Sequence, residues 1–557
     1  MKSELEARIA ALVQELYGVA VDVELTRPEE QFGDYASNVA MQVARSAGKN
    51  PREIGEAVAA RLRDEPTLQS VEVAGPGFLN LTLNDSALIT GLAVTPQKIN
   101  ADKTILVEYS DPNPFKPLHA GHLYTTLVGD AIARLVERSG AKTVRLNFGG
   151  DVGLHAGKSM WAIVKWLGGE HPEKLQDIAD AERPTWLGAR YVEGNNAYED
   201  DETAKAEIID YNKRVYSLHD TSDYDSPFAQ VYWTCREWSY RYFETLYKQL
   251  QVIPFDRFIP ESEVTPLGLA TVREGLAKGI YVESDGAVIY HGDEEKGLHT
   301  RVFINGEGIP TYETKDVGLS LTKWRDYHYD KSIIITANEQ AQYMQVVIAS
   351  IREMEPEAAE RTTHLTHGVV KLQGGVKMSS RKGNILSALD VLEAARVAAR
   401  VTQPDSSEET MLAAVKYAFL KNRIGGDIIY DPNESVALEG NSGPYLQYAH
   451  ARAKSILAKA KETSVSPHEW TLTPAERSLV RKLTEYTETV EKAVDELMPH
   501  HICTYLYELA QAFNRFYEGN RVIGDEREAL RLGLVETYAD TLKDGLSLLG
   551  IYAPDHM

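Results

Sequence analysis

Two short motifs hold most of the residues that could do chemistry. The first is Pro112-Asn113-Pro114-Phe115-Lys116-Pro117-Leu118-His119-Ala120-Gly121-His122. Imidazoles donate hydrogen bonds to phosphate oxygens and can carry charge near neutral pH. His119 and His122 are therefore candidates for holding phosphate, and Lys116 adds a mobile cation just before them. Gly121 has no side chain, so a flat base can lie close to the backbone there. The second motif is Lys377-Met378-Ser379-Ser380-Arg381, followed by Lys382 and Gly383. Its cations and hydroxyls beside glycine suit a clamp on a polyphosphate. Two nearby histidines alone are as well explained as surface loop residues, and the setting decides between the readings.

Residues 104–107 form a short β-branched, apolar run and read as a buried strand. Asp111, Pro112, Asn113 and Pro114 end it in a rigid turn. Leu123, Leu127, Ala131 and Leu135 then recur at helical spacing until Gly140. The histidines thus fall where a strand's carboxyl end meets a helix's amino end. An open parallel sheet places its ligands there, and unpaired N–H groups and the helix dipole attract phosphate. A second strand over 143–147 completes a βαβ unit and leads into Asn147-Phe148-Gly149-Gly150-Asp151-Val152-Gly153-Leu154-His155. Asp151 and His155 are expected to face the same pocket. The sheet resumes at 331–336, with a helix over 339–351 and a strand over 363–372 before the second motif.

At 557 residues the chain is too long for one core, and two to four domains are expected. Residues 1–98 read as a small α+β domain, with helices over 39–47 and 51–62 and a strand pair around Gly75-Pro76-Gly77. Residues 99–404 hold the split sheet, interrupted by a Trp- and Tyr-rich insertion at about 161–255, and residues 405–557 are almost wholly helical in pattern. Charged residues make up 25% and no apolar run reaches membrane-spanning length, so a soluble, cytoplasmic protein is expected. Cys235 and Cys503 lack ligand spacing, which argues against a thiolate metal site. The net charge of −23 argues against nucleic acid, although binding depends on where cations cluster rather than on their sum.

His119-Ala120-Gly121-His122 resembles the HIGH signature of class I aminoacyl-tRNA synthetases, and Lys377-Met378-Ser379-Ser380-Arg381 resembles their KMSKS signature. Flanking stretches resemble the arginyl-tRNA synthetase family. They are Phe32-Gly33-Asp34-Tyr35-Ala36-Ser37-Asn38, Gly443-Pro444-Tyr445-Leu446-Gln447-Tyr448-Ala449-His450-Ala451-Arg452 and the closing Leu548-Leu549-Gly550-Ile551-Tyr552-Ala553-Pro554. The resemblance implies a Rossmann-like catalytic domain, an amino-terminal domain that contacts tRNA and a helical anticodon-binding domain. It also implies activation of L-arginine with ATP and Mg²⁺ as the substrate complex, no protein-bound metal, transfer to tRNA(Arg), and action as a monomer. Activation in this family usually requires bound tRNA.

The family's phosphate-handling positions fall on His119, His122, Lys377 and the two signatures. Its arginine-binding positions fall on Glu108, Asn113, Glu261, Tyr312, Asp316 and Gln345, with Gln342 as the alternative to the last. Tyr312 and Asp316 are four apart and would share a helix face. A guanidinium offers five donors, so carboxylates and a flat platform suit it. Tyr445, Gln447, Arg452, Arg515 and Arg521 are candidates for tRNA contact, through stacking and phosphate pairing. One departure matters: Ser380 stands where the signature has lysine, and the resemblance implies that Lys116 substitutes. The cysteinyl enzyme, a synthetase-like RNA-binding paralogue and a small-molecule nucleotidyltransferase are the competing readings. The first needs a zinc–thiolate site, the second would not need the intact histidines, and the third leaves both flanking domains without a role.

Overall fold

Short amphipathic pieces between strong breakers build the amino-terminal unit, in a computed structural model that describes residues 1–373, 387–460 and 471–557. Leu5, Ile9, Leu12 and Val13 line the buried face of α1 (Lys2–Tyr17), which Gly18 ends in a left-handed turn. β1 (Tyr35–Ser37) precedes α2 (Val39–Ala47). Pro51 opens α3 (Pro51–Leu62), where the Asn50 side chain accepts from Arg52 N–H. β2 (Leu68–Ala74) and β3 (Phe78–Leu83) form the expected pair, and β1 adds to it in the order β1-β3-β2, antiparallel throughout. α4 (Asp85–Gly91) follows.

β4 (Thr104–Glu108), α5 (Ala120–Arg138) and β5 (Lys142–Gly149) make the expected βαβ unit. The insertion is helical: α6 (Leu154–Leu167), α7 (Arg183–Asp200), α8 (Glu202–Asp220) and α9 (Pro227–Gln249). β6 (Arg257–Pro260) and α10 (Glu261–Ala277) return to the sheet. A separate antiparallel sheet of β7 (Val282–Ser284), β8 (Ala287–Tyr290) and β9 (Arg301–Ile304) comes next and was not expected. Its readable signal is Asp285-Gly286, whose φ values of 48° and 78° make a two-residue hairpin turn. Strands this short give no usable alternation around it.

α11 (Tyr312–Tyr327), β10 (Lys331–Ala337), α12 (Ala341–Met354), α13 (Pro356–Glu360) and β11 (Thr362–His367) complete the central layer. Its five-stranded sheet has the order β11-β10-β4-β5-β6, and every pairing is parallel. The chain steps outward from β4 to β6, then returns to lay β10 on the other side of β4. This reversal opens a crevice at the strands' carboxyl ends. β12 (Val370–Leu372), α14 (Ala388–Thr402), α15 (Glu408–Leu420) and β13 (Ile428–Tyr430) follow, and β12 pairs with β13 rather than extending β11. The single strand expected over 363–372 breaks at Gly368, where a Cβ would stand 2.3 Å from Gly426 backbone. The Lys377-to-Arg381 signature lies outside the described residues.

α16 (Pro432–Ser435), α17 (Gly443–Lys459), α18 (Pro474–Glu496), α19 (His500–Gly519) and α20 (Glu528–Leu548) form the helical end of the chain. α5 packs against α15, α18 and α20, so the helix that His119 caps is braced from behind. α18 also ties the two ends of the chain together. Arg477 pairs with Asp34 at 2.6 Å and Asp85 at 2.9 Å, and Arg27 meets Glu488 at 2.7 Å. No helix among the described residues is long and apolar enough to cross a membrane.

The start of α18 allows a stability prediction. Thr473 and Glu476 form a reciprocal cap, and fully buried Glu476 also takes Arg527 at 2.5 Å and Arg531 at 2.9 Å. Burial raises the carboxyl's pKa, but the Arg527, Thr473 N–H and Arg531 bonds outweigh it and hold the group at about 2. Glu476→Ala removes the carboxylate shared by buried Arg531 and partly exposed Arg527, though Arg531 keeps Asp525, and is expected to lower unfolding free energy by about 3 kcal/mol, read by urea titration. Because the folded pKa is depressed, the wild type's advantage is present above the ordinary carboxyl pKa and disappears as pH falls toward 2.

Candidate active site

The turn after β4 holds three non-glycine residues in left-handed conformations: Ser110 (φ 77°), Asp111 (φ 44°) and Phe115 (φ 71°). Each is held by a specific contact. The Ser110 and Tyr247 hydroxyls lie 2.7 Å apart, and Asp111 Oδ1 accepts from Phe148 N–H at 2.7 Å. Phe115 N–H donates to Ser239 Oγ at 2.8 Å. The Phe115 ring is fully buried beside Tyr232 in the insertion's core. This corrects the expectation that Phe115 meets a nucleotide: its ring anchors the loop instead. Pro112, Pro114, Leu118 and Ala120 are buried too, which leaves Asn113, Lys116, Pro117, His119, Gly121 and His122 partly accessible.

His119 is the N-cap of α5. Its Nδ1 accepts from Gly121 N–H at 3.1 Å and His122 N–H at 3.3 Å, and His122 Nδ1 accepts from His119 N–H at 3.3 Å. The two rings stack at 3.8 Å. Burial, then Lys116 and His367, pull the His119 pKa down to about 4; burial, His119, Lys116 and His367 push His122 well below its ordinary value. Both rings are therefore neutral at pH 7, which corrects the expected charge. With Nδ1 accepting, each proton sits on Nε2, so each ring keeps one N–H donor. Burial also lowers Lys116 to about 8, against the opposing pull of Glu261.

A pocket rich in carboxylates adjoins this loop. Asn113 Oδ1 accepts from Gly150 N–H at 3.1 Å. A Cβ on Gly150 would lie 2.2 Å from Asn113 Oδ1 and 3.0 Å from Glu261 Oε1, so only glycine lets these two side chains converge. Glu261, first in α10, pairs with Lys315 at 2.6 Å. Glu108, at the end of β4 and 2% exposed, pairs with Lys323 at 2.6 Å and so acts on the pocket through charge. Asp316 differs: its partner is the Tyr343 hydroxyl. Burial raises its pKa to about 7 despite that bond, with Glu108 and Glu261 adding repulsion. Asp111 is pushed well above the usual range, by burial and then by Glu108. Among the described residues, four acidic side chains, Glu108, Asp111, Glu261 and Asp316, thus lie close together, and only Glu108 and Glu261 have a lysine ion-pair partner. Tyr312, 51% exposed, stands one turn before Asp316 on α11, with its ring 5.0 Å from Lys315 Nζ.

A family model for class I (R) tRNA synthetases, catalytic domain, matches residues 85–431. The chain belongs to the arginyl-tRNA synthetase family. A model of the arginyl-tRNA synthetase amino-terminal domain matches residues 1–83 of this enzyme, and a DALR anticodon-binding domain matches residues 446–557. Similar curated proteins include the arginine–tRNA ligase of Porphyromonas gingivalis, 29% identical with 100% of this chain and 99% of that protein covered. The arginine–tRNA ligase of Phocaeicola vulgatus is 28% identical, with both chains wholly covered. The solved Thermus thermophilus arginyl-tRNA synthetase aligns over all of both chains with a TM-score of 0.81 and 25% identity. The Plasmodium falciparum enzyme shares the fold, with a TM-score of 0.82 over 100% of this chain and 99% of that one, at 20% identity.

Within the synthetase, Glu108, Asn113, Glu261, Tyr312 and Asp316 form one cluster of neighbouring side chains, linked through Lys116 to His119 and His122. The cluster does not include Gln345. That residue is exposed on α12, two positions and about 200° of helix from Tyr343, which reaches Asp316 instead. Gln342 is exposed as well. Asp151 does not open to the pocket: it is fully buried and takes Arg236 and Ser262, joining α9 to α10. His155 Nε2 lies 2.5 Å from the Gly150 carbonyl, and its Nδ1 lies 3.5 Å from Tyr312 O–H. Burial, with Lys116 adding to it, takes its pKa down to about 3.

Lys315, Lys323, Tyr343 and His367 were missed from the sequence. Lys323 is seven residues after Asp316, two helical turns along the same face, and that spacing was a usable signal. In the helical domain, Tyr445 is half-buried and accepts from Asn514 at 3.0 Å, while Arg452 lies 4.8 Å over the Tyr517 ring. Arg515 and Arg521 are exposed. Gln447 is a correction: it is fully buried and donates to the Tyr552 carbonyl at 2.8 Å, so it joins α17 to the chain's last residues rather than meeting RNA.

Proposed function

We propose that the enzyme activates L-arginine with ATP to arginyl-adenylate, releasing diphosphate, and transfers the arginyl group to the 3′ end of tRNA(Arg). The arginine carboxylate attacks the α-phosphate in line and diphosphate leaves, so the protein's task is positioning and charge compensation. His119 and His122 hold phosphate oxygens through Nε2–H, and Lys116 grips the β- and γ-phosphates together with Lys377. Asp316 takes the guanidinium, Glu261 and Asn113 orient the amino-acid end, and Tyr312 provides the platform. Magnesium travels with ATP. The functional units are residues 1–98, 99–404 and 405–557, and the enzyme works as a cytoplasmic monomer. The carrying observation is a cluster of acidic side chains, with Asp316 free of any lysine or arginine ion pair among the described residues, beside two neutral histidines at the sheet's carboxyl edge. Incubating the enzyme and ATP with bulk tRNA and each labelled amino acid in turn tests this reading. Arginine alone is expected to become acid-precipitable; charging by a different amino acid would overturn the reading.

For an acidic protein, tRNA must meet local cations. Arg515, exposed on α19 near the Arg452–Tyr517 pair, is one such place. Arg515→Ala is expected to weaken tRNA binding and lower the slope of log K against log salt by about one unit. An unchanged slope would take Arg515 out of the interface.

A further inference from the structure

Three consecutive residues of the catalytic loop are gripped by the helical insertion. Phe115 is sunk in the insertion's core and bonded to Ser239 of α9. Pro117 meets α7 so closely that a Cβ on Gly188 would stand 2.9 Å from Pro117 Cδ. Between them, Lys116 Nζ lies 5.1 Å from the centre of the Tyr191 ring. Gly188 and Tyr191 are three apart and so share one face of α7, and that face covers the loop. α7 is itself fixed by packing on α6, α8 and α9.

We propose that Tyr191 is a positioning residue for Lys116, and that through it the insertion serves the activation step itself. The inference rests on the phosphate-binding reading of Lys116 given above. A lysine side chain has four rotatable bonds and loses much freedom when held. An aromatic face near the ammonium narrows its range without neutralising it. Lys116 needs such a guide because a competing carboxylate, Glu261, also attracts it. The titratable groups facing Lys116 are Tyr191 from α7, Glu261 from α10, His155 from α6, and His119 and His122 beside it. The ring favours the charged ammonium, whereas burial favours the neutral amine. Removing the ring therefore both frees the side chain and eases its deprotonation.

Arginine-dependent ATP–pyrophosphate exchange with saturating tRNA tests this. Tyr191→Leu fills the space without a π-face and is expected to lower kcat about tenfold, with arginine KM within about twofold of wild type. Tyr191→Phe keeps the face and is expected to restore most of the rate. In Tyr191→Leu, but not in Tyr191→Phe, the basic limb of kcat/KM for ATP moves to lower pH. Added to Lys116→Ala, Tyr191→Leu is expected to have no further effect, since the group it positions is gone. Circular dichroism checks each fold, and should the leucine variant unfold, Tyr191→Met carries the same comparison. A full rate in Tyr191→Leu, or losses that simply multiply in the double variant, would overturn the proposal. A normal rate in Lys116→Ala would instead remove the underlying reading of Lys116. A slow Lys116→Ala beside a normal Tyr191→Leu would remove only the role of Tyr191.

Discussion

Lys116→Ala is expected to slow adenylate formation by about 10²–10³, the usual loss when one transition-state contact to developing charge is removed. Ser380 leaves the second signature one cation short, and both histidines are neutral, so the described part of the loop has Lys116 as its cation. Burial has already brought that ammonium's pKa to about 8, and phosphates would raise it again on binding. The effect should appear in pyrophosphate exchange, while tRNA affinity stays nearly unchanged. Placing the missing lysine back, as Ser380→Lys in the Lys116→Ala background, is expected to recover part of the loss. Exchange at the wild-type rate in Lys116→Ala would show that Lys116 does not hold phosphate.

Asp316→Asn is expected to raise arginine KM about ten- to hundredfold with far less change in ATP KM. The side chain keeps its shape, and a buried hydrogen bond to a charged group is worth about 1.5–3 kcal/mol. A pH dependence follows from the same residue. Burial raises free Asp316 to about 7, and a bound guanidinium would favour the ionised form. Arginine binding therefore releases a proton below that pH. Affinity in the wild type should rise about tenfold per pH unit up to about pH 7 and then level off. The asparagine variant should lose this dependence. Equal changes in both KM values, or an unaltered pH profile, would make Asp316 a structural residue.

The strand–turn–helix that carries His119 was legible because both periodicities switch within a few residues, and β4 and α5 lie where those patterns put them. Asp316 was legible beside Tyr312 because α11 begins at Tyr312, so one turn separates them. The charge state of the histidines was not, since it depends on burial and on neighbouring charge from distant segments, His367 among the latter. Nor was the pairing of Glu108 with Lys323, which the sheet's closure decides. Phe115 read as part of a ligand loop because nothing local says that the insertion will swallow its ring. Gln345 failed for a plainer reason: a helix of uncertain register has two faces, and α12 turns the other one to Asp316.

Arginine-dependent ATP–pyrophosphate exchange, run with tRNA present and with citrulline as the comparison, shows whether the enzyme selects its amino acid by guanidinium charge. Citrulline keeps the length and planarity of arginine but lacks its charge, so only a pocket built on carboxylates separates the two strongly. Rapid exchange is expected with arginine and none above background with citrulline or lysine. Comparable exchange with citrulline, or none with arginine while tRNA is bound, would contradict that expectation.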